Sequence, residues 1–263
     1  MKLLFPLLVA FTLLASTSFA DCAGSGLYAF PDQKEVRTNN LFLLEGYAHS
    51  QHIIKGLNTE FPIYLKSGDE TIRLIVQETH TGQFFLTQAL LKPEKFLTEG
   101  KEYTLVIDNL PDQEGMYRYN IKTRKREAIT YIASGKEDHR IPAFTSAPKE
   151  KEKSFISLGC GPAVDVTFSF NVSDDSDDSD NSDLLLMRTS VKSADSDSST
   201  TYLVVCGNKC VSIGHNMCSG AFTFIEGQAY RVQFKLLDFC GNEAPKASEW
   251  ILFTSPTNTD SPR

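Results

Sequence analysis

Three cysteines and a histidine in the second half of the chain have side chains that could hold a metal ion. Cys206, Cys210, His215 and Cys218 fall within 13 residues, and thiolates together with an imidazole are ligands of tetrahedral zinc sites. Their spacing matches no common zinc module, and cysteines in an oxidising compartment pair as disulfides more often than they bind metal. We therefore expect disulfides here rather than a metal centre.

The chain has six cysteines, an even number that favours up to three disulfides in an exported protein. The candidates are Cys22, Cys160, Cys206, Cys210, Cys218 and Cys240. Five of the six lie in the second half of the chain, which would carry most of the cross-links. The spacing does not fix the connectivity, and a bond from Cys240 to one of the three cysteines before it is one possibility.

A run of aspartates in the second half of the chain could bind calcium. Residues 173–183 read SDDSDDSDNSD, and the candidate ligands are Asp174, Asp175, Asp177, Asp178 and Asp180. Calcium takes six to eight oxygen ligands, so the carboxylate density suits it, but this run offers no turn-forming glycine and no rigid frame. The alternative is a solvated, disordered insertion between two strands, kept extended by its own charge. We expect no cofactor, with calcium as the one candidate.

A basic segment with neighbouring aromatic residues could contact nucleic acid or an acidic glycan. It contains Arg118, Lys122, Arg124, Lys125 and Arg126, beside Tyr117 and Tyr119. The whole chain carries a net charge of −7, which argues against a nucleic-acid partner. We expect an exposed hairpin tip.

Sequence motifs for catalysis are absent. The chain contains no G-x-S-x-G, no H-E-x-x-H and no glycine-rich phosphate loop, and its five histidines are scattered. We therefore expect a protein that is not an enzyme. Two carboxylates acting as a glycosidase pair remain possible in any chain of this composition, although no residue pattern favours them.

The first twenty residues are typical of a secretory signal peptide. A charged start is followed by an apolar run of about 13 residues and by Ser18-Phe19-Ala20, which suits signal peptidase. The run is too short to span a bilayer, and no other segment is long and apolar enough to do so. Asp21 occupies the position where a lipid-modified cysteine would need a small residue. We expect an exported protein, periplasmic or extracellular.

An internal repeat indicates the architecture. Residues 97–107 and 224–234 match at an offset of 127 positions, and each copy reads Glu-Gly-x-x-Tyr followed by alternating apolar residues. Such a pattern predicts a β-turn that leads into a half-buried strand. Short apolar runs at spacings of about 8–12 residues, separated by turn residues, extend this pattern along the chain and indicate β-sandwiches.

The repeat and the linkers divide the chain into predicted domains. We place the signal peptide at 1–20, the first domain at 21–140, the second at 141–255 with the acidic insertion 173–183, and a mobile tail at 256–263. Residues 136–140 are polar and form the preferred hinge. The charged strip at residues 149–153 is an alternative linker, which would move the boundary by about ten residues.

The repeated segments resemble those of bacterial immunoglobulin-like and fibronectin type III-like domains. In the second copy, Glu226-Gly227-x-x-Tyr230 leads to a turn that begins at Asp238 and ends in Gly-Asn, as in many such domains. The first copy has Gly100 and Tyr103 but lacks the Gly-Asn ending. Tyr103 and Tyr230 suit a tyrosine corner, with the ring in the core and the hydroxyl bonded to the turn backbone, and Gly100 and Gly227 suit turn positions with positive φ.

These observations predict an all-β protein made of two tandem immunoglobulin-like or fibronectin type III-like sandwiches after a signal peptide. The resemblance implies an exported, non-catalytic module for binding, adhesion or structural spacing at the cell envelope or outside it. Its partner would be a protein or a glycan. The alternative is a secreted enzyme, or its accessory domain pair, with a site in the crevice between the domains; perturbed carboxylates or histidines in that crevice would favour it.

Overall fold

The all-β class predicted from the sequence is confirmed. The structure is a computed structural model that describes residues 24–173, 185–207 and 209–260; strands make up 56% of the chain and helices 5%. The predicted signal peptide, Cys22 and the five aspartates proposed for calcium all lie outside the described residues. Within those residues, no helix has the length and apolar character needed to cross a membrane.

The first half of the chain forms one antiparallel sheet that closes around its own core. The eight strands are β1 (Gly26–Phe30), β2 (Glu35–Val36), β3 (Phe42–Tyr47), β4 (Ile63–Ser67), β5 (Glu70–Thr81), β6 (Leu86–Pro93), β7 (Glu102–Ile107) and β10 (Thr130–Ala133). Their order is β1-β3-β6-β5-β4-β7-β10-β2, and only β10 and β2 are parallel. β5 passes from one half of the sheet to the other, since its start pairs with β4 and the rest with β6. Residues from all eight strands line the first core.

Three smaller elements accompany this sheet. A 3₁₀ turn (Ala48–Ser50) leads into the short helix α1 (Gln51–Lys55), whose Ile53 and Ile54 are buried in the first core. The hairpin β8 (Tyr117–Asn120) and β9 (Lys125–Ala128) is paired only with itself among the described strands.

The second half of the chain forms two sheets over a second core. One sheet contains β11 (Ala143–Leu158), β12 (Gly161–Ser173) and β15 (Cys210–His215), and the other has the order β14-β13-β16-β17. The latter strands are β13 (Leu185–Ser193), β14 (Thr200–Cys206), β16 (Ala229–Leu237) and β17 (Ile251–Thr254), and a 3₁₀ turn (Asn258–Asp260) follows. Along β12, alternate side chains from Val164 to Phe170 are buried, as a strand with one apolar face requires. The charged strip at residues 149–153 lies within β11 and is therefore not a linker.

A third core joins the two halves. The face of β3 and β6 that points away from the first core packs onto β13, β14 and the end of β16. The cluster contains Leu41, Leu43, Leu90, Leu186, Leu203, Leu237 and Phe239. Beside this cluster, Arg188 forms a bidentate ion pair with Glu78, at 2.6 and 2.9 Å, and the Arg188 Nε donates to Glu243 at 2.7 Å. The division into two domains near residue 140 stays a prediction.

The two copies of the repeat have the same local structure. The Thr98 amide donates to the Tyr103 hydroxyl at 3.1 Å, and the Ile225 amide donates to the Tyr230 hydroxyl at 2.9 Å. Each bond therefore spans five residues back to the turn, which is the geometry of a tyrosine corner. The turn glycines Gly100 and Gly227 have φ values of +78° and +70°, a region that side chains with a Cβ rarely adopt.

Candidate functional site

A crevice of about 910 Å³ lies between the first sheet and the β12–β15 sheet. Its walls are mostly apolar and aromatic, with a few polar groups among them, as is usual for ligand sites. We use "the crevice" for this cavity. Strand faces from both halves and the loop at 216–222 form its lining, so it is built largely on regular elements.

One wall of the crevice is the edge pair β1–β3. Tyr28 lies opposite Glu45 and Gly26 opposite Tyr47 in the strand register, so Tyr28, Glu45 and Tyr47 project from the same face. The two tyrosine rings stack with their centroids 5.7 Å apart and an interplanar angle of 22°. Gly26 permits this arrangement because a Cβ there would lie 2.9 Å from Tyr47 Cε1. Tyr28 is 54% exposed, so its ring is available to a ligand.

Glu45 is held in this wall by neutral groups. The Tyr202 hydroxyl donates to Glu45 Oε2 at 2.9 Å. Gln88, whose amide group bonds both the N–H and the C=O of Leu203 at 2.8 and 3.0 Å, also interacts with the Glu45 carboxylate. Burial raises the pKa of Glu45, and the bonds from Tyr202 and Gln88 act in the opposite direction. These bonds fix the carboxylate in position, and among the residues that the structure describes neither Lys nor Arg lies in the crevice lining.

The facing wall holds Asp165, Ser212 and His215. Asp165 on β12 pairs with Gly214 on β15, which brings the neighbouring His215 close to it. Gly214 has φ +148°, and a Cβ there would lie 1.9 Å from the Val164 carbonyl oxygen, so no other residue fits. Burial raises the pKa of Asp165, while His215 and Ser212 lower it by smaller amounts.

A loop from the first half fixes this facing wall in place. The Gln83 amide donates to the Ala221 carbonyl at 3.0 Å. Phe84 and Gly220 exchange two backbone hydrogen bonds at 2.8 and 3.1 Å. The Phe84 ring also meets the His215 ring edge-on, with centroids 5.6 Å apart. Backbone hydrogen bonds therefore connect this loop of the first half to the 216–222 loop of the facing wall.

The polar groups of the crevice do not form a nucleophilic triad. His215 Nδ1 donates to the Asn216 carbonyl at 2.9 Å, so a backbone group and not a carboxylate orients the imidazole. The Ser212 hydroxyl accepts a bond from the Thr167 hydroxyl at 3.3 Å. In a triad, the base bonds the nucleophile and a third group orients the base.

The cysteines differ from the sequence-based expectation. Cys160, Cys206 and Cys210 carry free thiols, which excludes bonds from Cys206 or Cys210 to Cys240, whereas Cys218 is disulfide-bonded. Cys206 is buried in the second core, where it packs as a small apolar side chain. Burial, with a smaller effect from Cys210, raises the pKa of the Cys206 thiol to about 12. Cys218 lies in the wall of the crevice. No metal-binding group of three or more His, Cys, Asp or Glu side chains is found in the part of the chain that is described.

The basic segment forms the predicted hairpin, but its first arginine is used internally. Arg118 Nη2 donates to the Pro31 carbonyl at 2.7 Å and to the Tyr131 hydroxyl at 3.4 Å. Arg126 lies over the Tyr117 ring, 4.3 Å from its centroid. The hairpin is therefore anchored to the first sheet at its base, and it does not contribute to the crevice lining.

Sequence reasoning did not identify the residues of the crevice. Glu45 and Asp165 are 120 positions apart and lie in different sheets. In the sequence, Glu45 is recognisable only as a charged residue after an apolar run. Asp165 is recognisable only as a charged residue within a strand of alternating apolar and polar positions.

Comparisons with known proteins do not assign the chain to a family. No family model matches it. A stretch of 129 residues is 26% identical to an uncharacterized transcriptional regulatory protein of Bacillus subtilis, and the match spans 49% of this chain and 53% of that one. The chain thus spans about half the length of the curated relative it matches.

Solved structures give weak likenesses. A Bacillus subtilis pullulanase crystallised with maltose aligns with 87% of this chain and 24% of its own, at 11% identity and a TM-score of 0.26. The FN1–FN3 domains of chicken CNTN1 align with 86% of this chain and 66% of their own, at 10% identity and a TM-score of 0.27. The Yersinia pseudotuberculosis adhesin InvE aligns with 88% of this chain and 58% of its own, at 12% identity and a TM-score of 0.22. Scores of this size carry no functional inference.

Proposed function

We propose that this chain is a non-catalytic binding module and that its ligand or partner occupies the crevice. The observation that carries the proposal is the combination of two walls built on paired strands with an accessible aromatic surface. Tyr28 is more than half exposed beside the ordered carboxylate of Glu45. Fixed polar groups set among apolar surface are typical of sites that bind without remodelling the protein.

The wider role follows the sequence-based expectations. We propose two tandem immunoglobulin-like or fibronectin type III-like sandwiches, exported through the signal peptide at 1–20 to the periplasm or the exterior. The partner is a protein or a glycan carrying the group that enters the crevice, and no nucleic acid or cofactor is required. Protease digestion of intact cells, with the culture medium assayed alongside, tests the location; detection only in the cytosol would contradict export.

A binding screen with matched variants tests the crevice as the ligand site. A glycan array and a panel of neutral, anionic and cationic small molecules are tested by saturation-transfer NMR on the wild type, Tyr28→Ala and Tyr119→Ala. Tyr119 is 59% exposed on the β8–β9 hairpin and serves as the matched control. We expect probes that bind the wild type and Tyr119→Ala but not Tyr28→Ala, and that are recovered unchanged. Binding that depends on Tyr119 instead would place the site on the hairpin.

A secreted hydrolase is the second candidate function, and one observation favours it. Glu45 and Asp165 line the same cavity, and burial raises the pKa of both; perturbed carboxylates in a cleft are typical of acid–base sites. Chromatography of the same probes after long incubation tests this candidate. Turnover that is lost in Glu45→Gln and in Asp165→Asn, but kept in Asp112→Asn, would replace the binding proposal with a hydrolase.

A further inference from the structure

The lysine, arginine, aspartate and glutamate side chains that line the crevice are all of one sign, negative. Its lining contains the carboxylates of Glu45 and Asp165 but, among the described residues, no lysine and no arginine. A third carboxylate, Glu114, lies near Tyr47, where it accepts bonds from the hydroxyls of Ser25 and Ser50. His215 also lines the crevice, close to Asp165. Walls of one sign concentrate the field inside a cleft and select a ligand of the opposite sign.

In the described part of the chain, no lysine or arginine lines the crevice beside the two carboxylates. Glu45 is bonded to a hydroxyl and an amide, and Asp165 faces Ser212 and His215. An ionised carboxylate removed from water is costly unless an opposite charge compensates it. Glu78, by comparison, is paired with Arg188. A cation inside the crevice would give Glu45 the counter-charge that its own surroundings do not supply.

The aromatic surface is suited to the same ligand. The faces of tyrosine rings attract ammonium and guanidinium groups, and alkylated ammonium ions most often use this contact because they are weakly hydrated. Tyr28 and Glu45 are directly opposite each other on paired antiparallel strands, a position in which Cβ atoms are about 5 Å apart. A cation of a few ångströms in diameter can therefore contact the ring of Tyr28 and the carboxylate of Glu45 together.

We propose that the crevice binds a small organic cation, an alkylated ammonium group with apolar substituents. The inference rests on the proposed function, since it names the ligand class of the same site. Tyr28 and Tyr47 supply the aromatic contact, and Glu45 and Asp165 supply the charge. A neutral sugar would stack on the tyrosines equally well but would leave both carboxylates uncompensated.

A pair of probes with the same shape and different charge tests the proposal. Choline and its uncharged carbon analogue, 3,3-dimethylbutan-1-ol, are titrated into the intact protein by calorimetry at pH 7. We expect choline to bind about tenfold more tightly than the analogue, from the attraction of ring and carboxylate for the cation. Glu45→Gln, Asp165→Asn and Tyr28→Leu should each weaken choline binding. Asp112→Asn, which removes one exposed carboxylate outside the crevice, is the control and should leave choline affinity within about twofold, since surface charges contribute little.

The outcomes separate this inference from the proposal on which it rests. Equal affinity for the two probes, or tighter binding of a neutral sugar that Tyr28→Leu abolishes, would overturn the cation and keep the crevice as the ligand site. Choline binding that none of the three crevice variants weakens would place the cation elsewhere and also overturn the inference. Absence of any crevice-dependent binding for neutral, anionic and cationic probes would refute both. Circular dichroism of each variant shows whether it is folded, and the conservative Glu45→Gln keeps an acceptor for the Tyr202 hydroxyl.

Discussion

Asp238, in the turn after β16, is buried enough to make the stability of the protein depend on pH. The side chain is 5% exposed. Its Oδ1 accepts the amides of Cys240 and Asn242, each at 2.8 Å, and its Oδ2 accepts the Asn242 side-chain amide at 2.8 Å. Burial nevertheless outweighs these donors and raises the pKa of Asp238 from 3.8 to about 6, with a small contribution from Asp138. The replacement Asp238→Asn isolates this effect because asparagine cannot ionise.

The sign of the effect follows from the two pKa values. The folded state keeps the proton to a higher pH than the unfolded chain, so the folded state binds more protons between about pH 4 and pH 6. The contribution of Asp238 is therefore fully present below the unfolded pKa and is lost as pH rises through the folded pKa. The change in the free energy of unfolding amounts to about 3 kcal/mol, at about 1.4 kcal/mol per pH unit. At neutral pH, Asp238→Asn also loses an acceptor for Asn242, at about 1–3 kcal/mol, so the net change there is small.

Urea unfolding monitored by the fluorescence of Trp250, the one tryptophan of the chain, measures this quantity from pH 4 to pH 8. Glu45 and Asp165 contribute slopes of the same sign, so the readout is the wild type minus Asp238→Asn. We expect this difference to fall by about 2.5 kcal/mol between pH 4 and pH 7 and then to level off. Asp112→Asn, which removes an exposed carboxylate, should give a flat difference. A flat or rising curve for Asp238→Asn would refute the reasoning, since it would mean that the three N–H donors outweigh burial.

Three further predictions test the fold. Tyr230→Phe removes the acceptor of the Ile225 amide and should lower the free energy of unfolding by about 1–3 kcal/mol in urea titrations; an unchanged value would mean that water replaces the hydroxyl. Leu43→Ala creates a cavity in the third core, where the side chain is 0% exposed, and should lower that free energy by about 2–5 kcal/mol. A loss below 1 kcal/mol would show that the two halves separate in solution. Iodoacetamide should label Cys210 in the folded protein but Cys206 only after unfolding, and a disulfide between them found by mass spectrometry would contradict the free thiols.

Local features of the fold could be predicted from the sequence because their determinants lie close together in the chain. The Glu-Gly-x-x-Tyr repeat places the turn, the glycine and the tyrosine within a few residues of one another. The bond from the Tyr230 hydroxyl to the Ile225 amide spans five positions, so strand register and turn geometry fix it without help from distant segments. The alternation of Val164, Val166 and Phe168 on β12 has the same local origin.

The third core, which joins the two halves, was less predictable, although the sequence contains part of the information that indicates it. Leu41-Phe42-Leu43-Leu44 is a continuous apolar run, and such runs are typical of strands buried on both faces. In the structure Phe42 and Leu44 enter the first core, whereas Leu41 and Leu43 enter the third. The apolar run therefore indicates that another element covers the face of β3 that points away from the first core. It does not say that the covering element is β13 and β14, more than 140 residues further along the chain.

The cysteines show a case in which the count alone predicts too much: Cys218 is disulfide-bonded, but Cys206 and Cys210 are not. An even number of cysteines predicts disulfides only if the fold brings pairs of sulfur atoms together. Cys206 ends β14 inside the second core and Cys210 begins β15 on the exposed side of its sheet. Their burial differs because alternate positions on a strand face opposite sides, and the sequence spacing alone contains no information on which side each one takes.

The position of the crevice follows from the register of β3. Leu43, Glu45 and Tyr47 project from the same face of this strand at steps of two residues. Leu43 is covered by the third core, and Glu45 lies at its border, where Gln88 bonds the backbone of Leu203 from the other half. Beyond that border Glu45 and Tyr47 line the crevice, while Leu86 from the first half and part of Tyr47 pack against the second core. A register slip of one residue on β3 would point these side chains towards the first core and place Leu44 in the third core. The packing of the third core and the residues that line the crevice therefore depend on the same strand register.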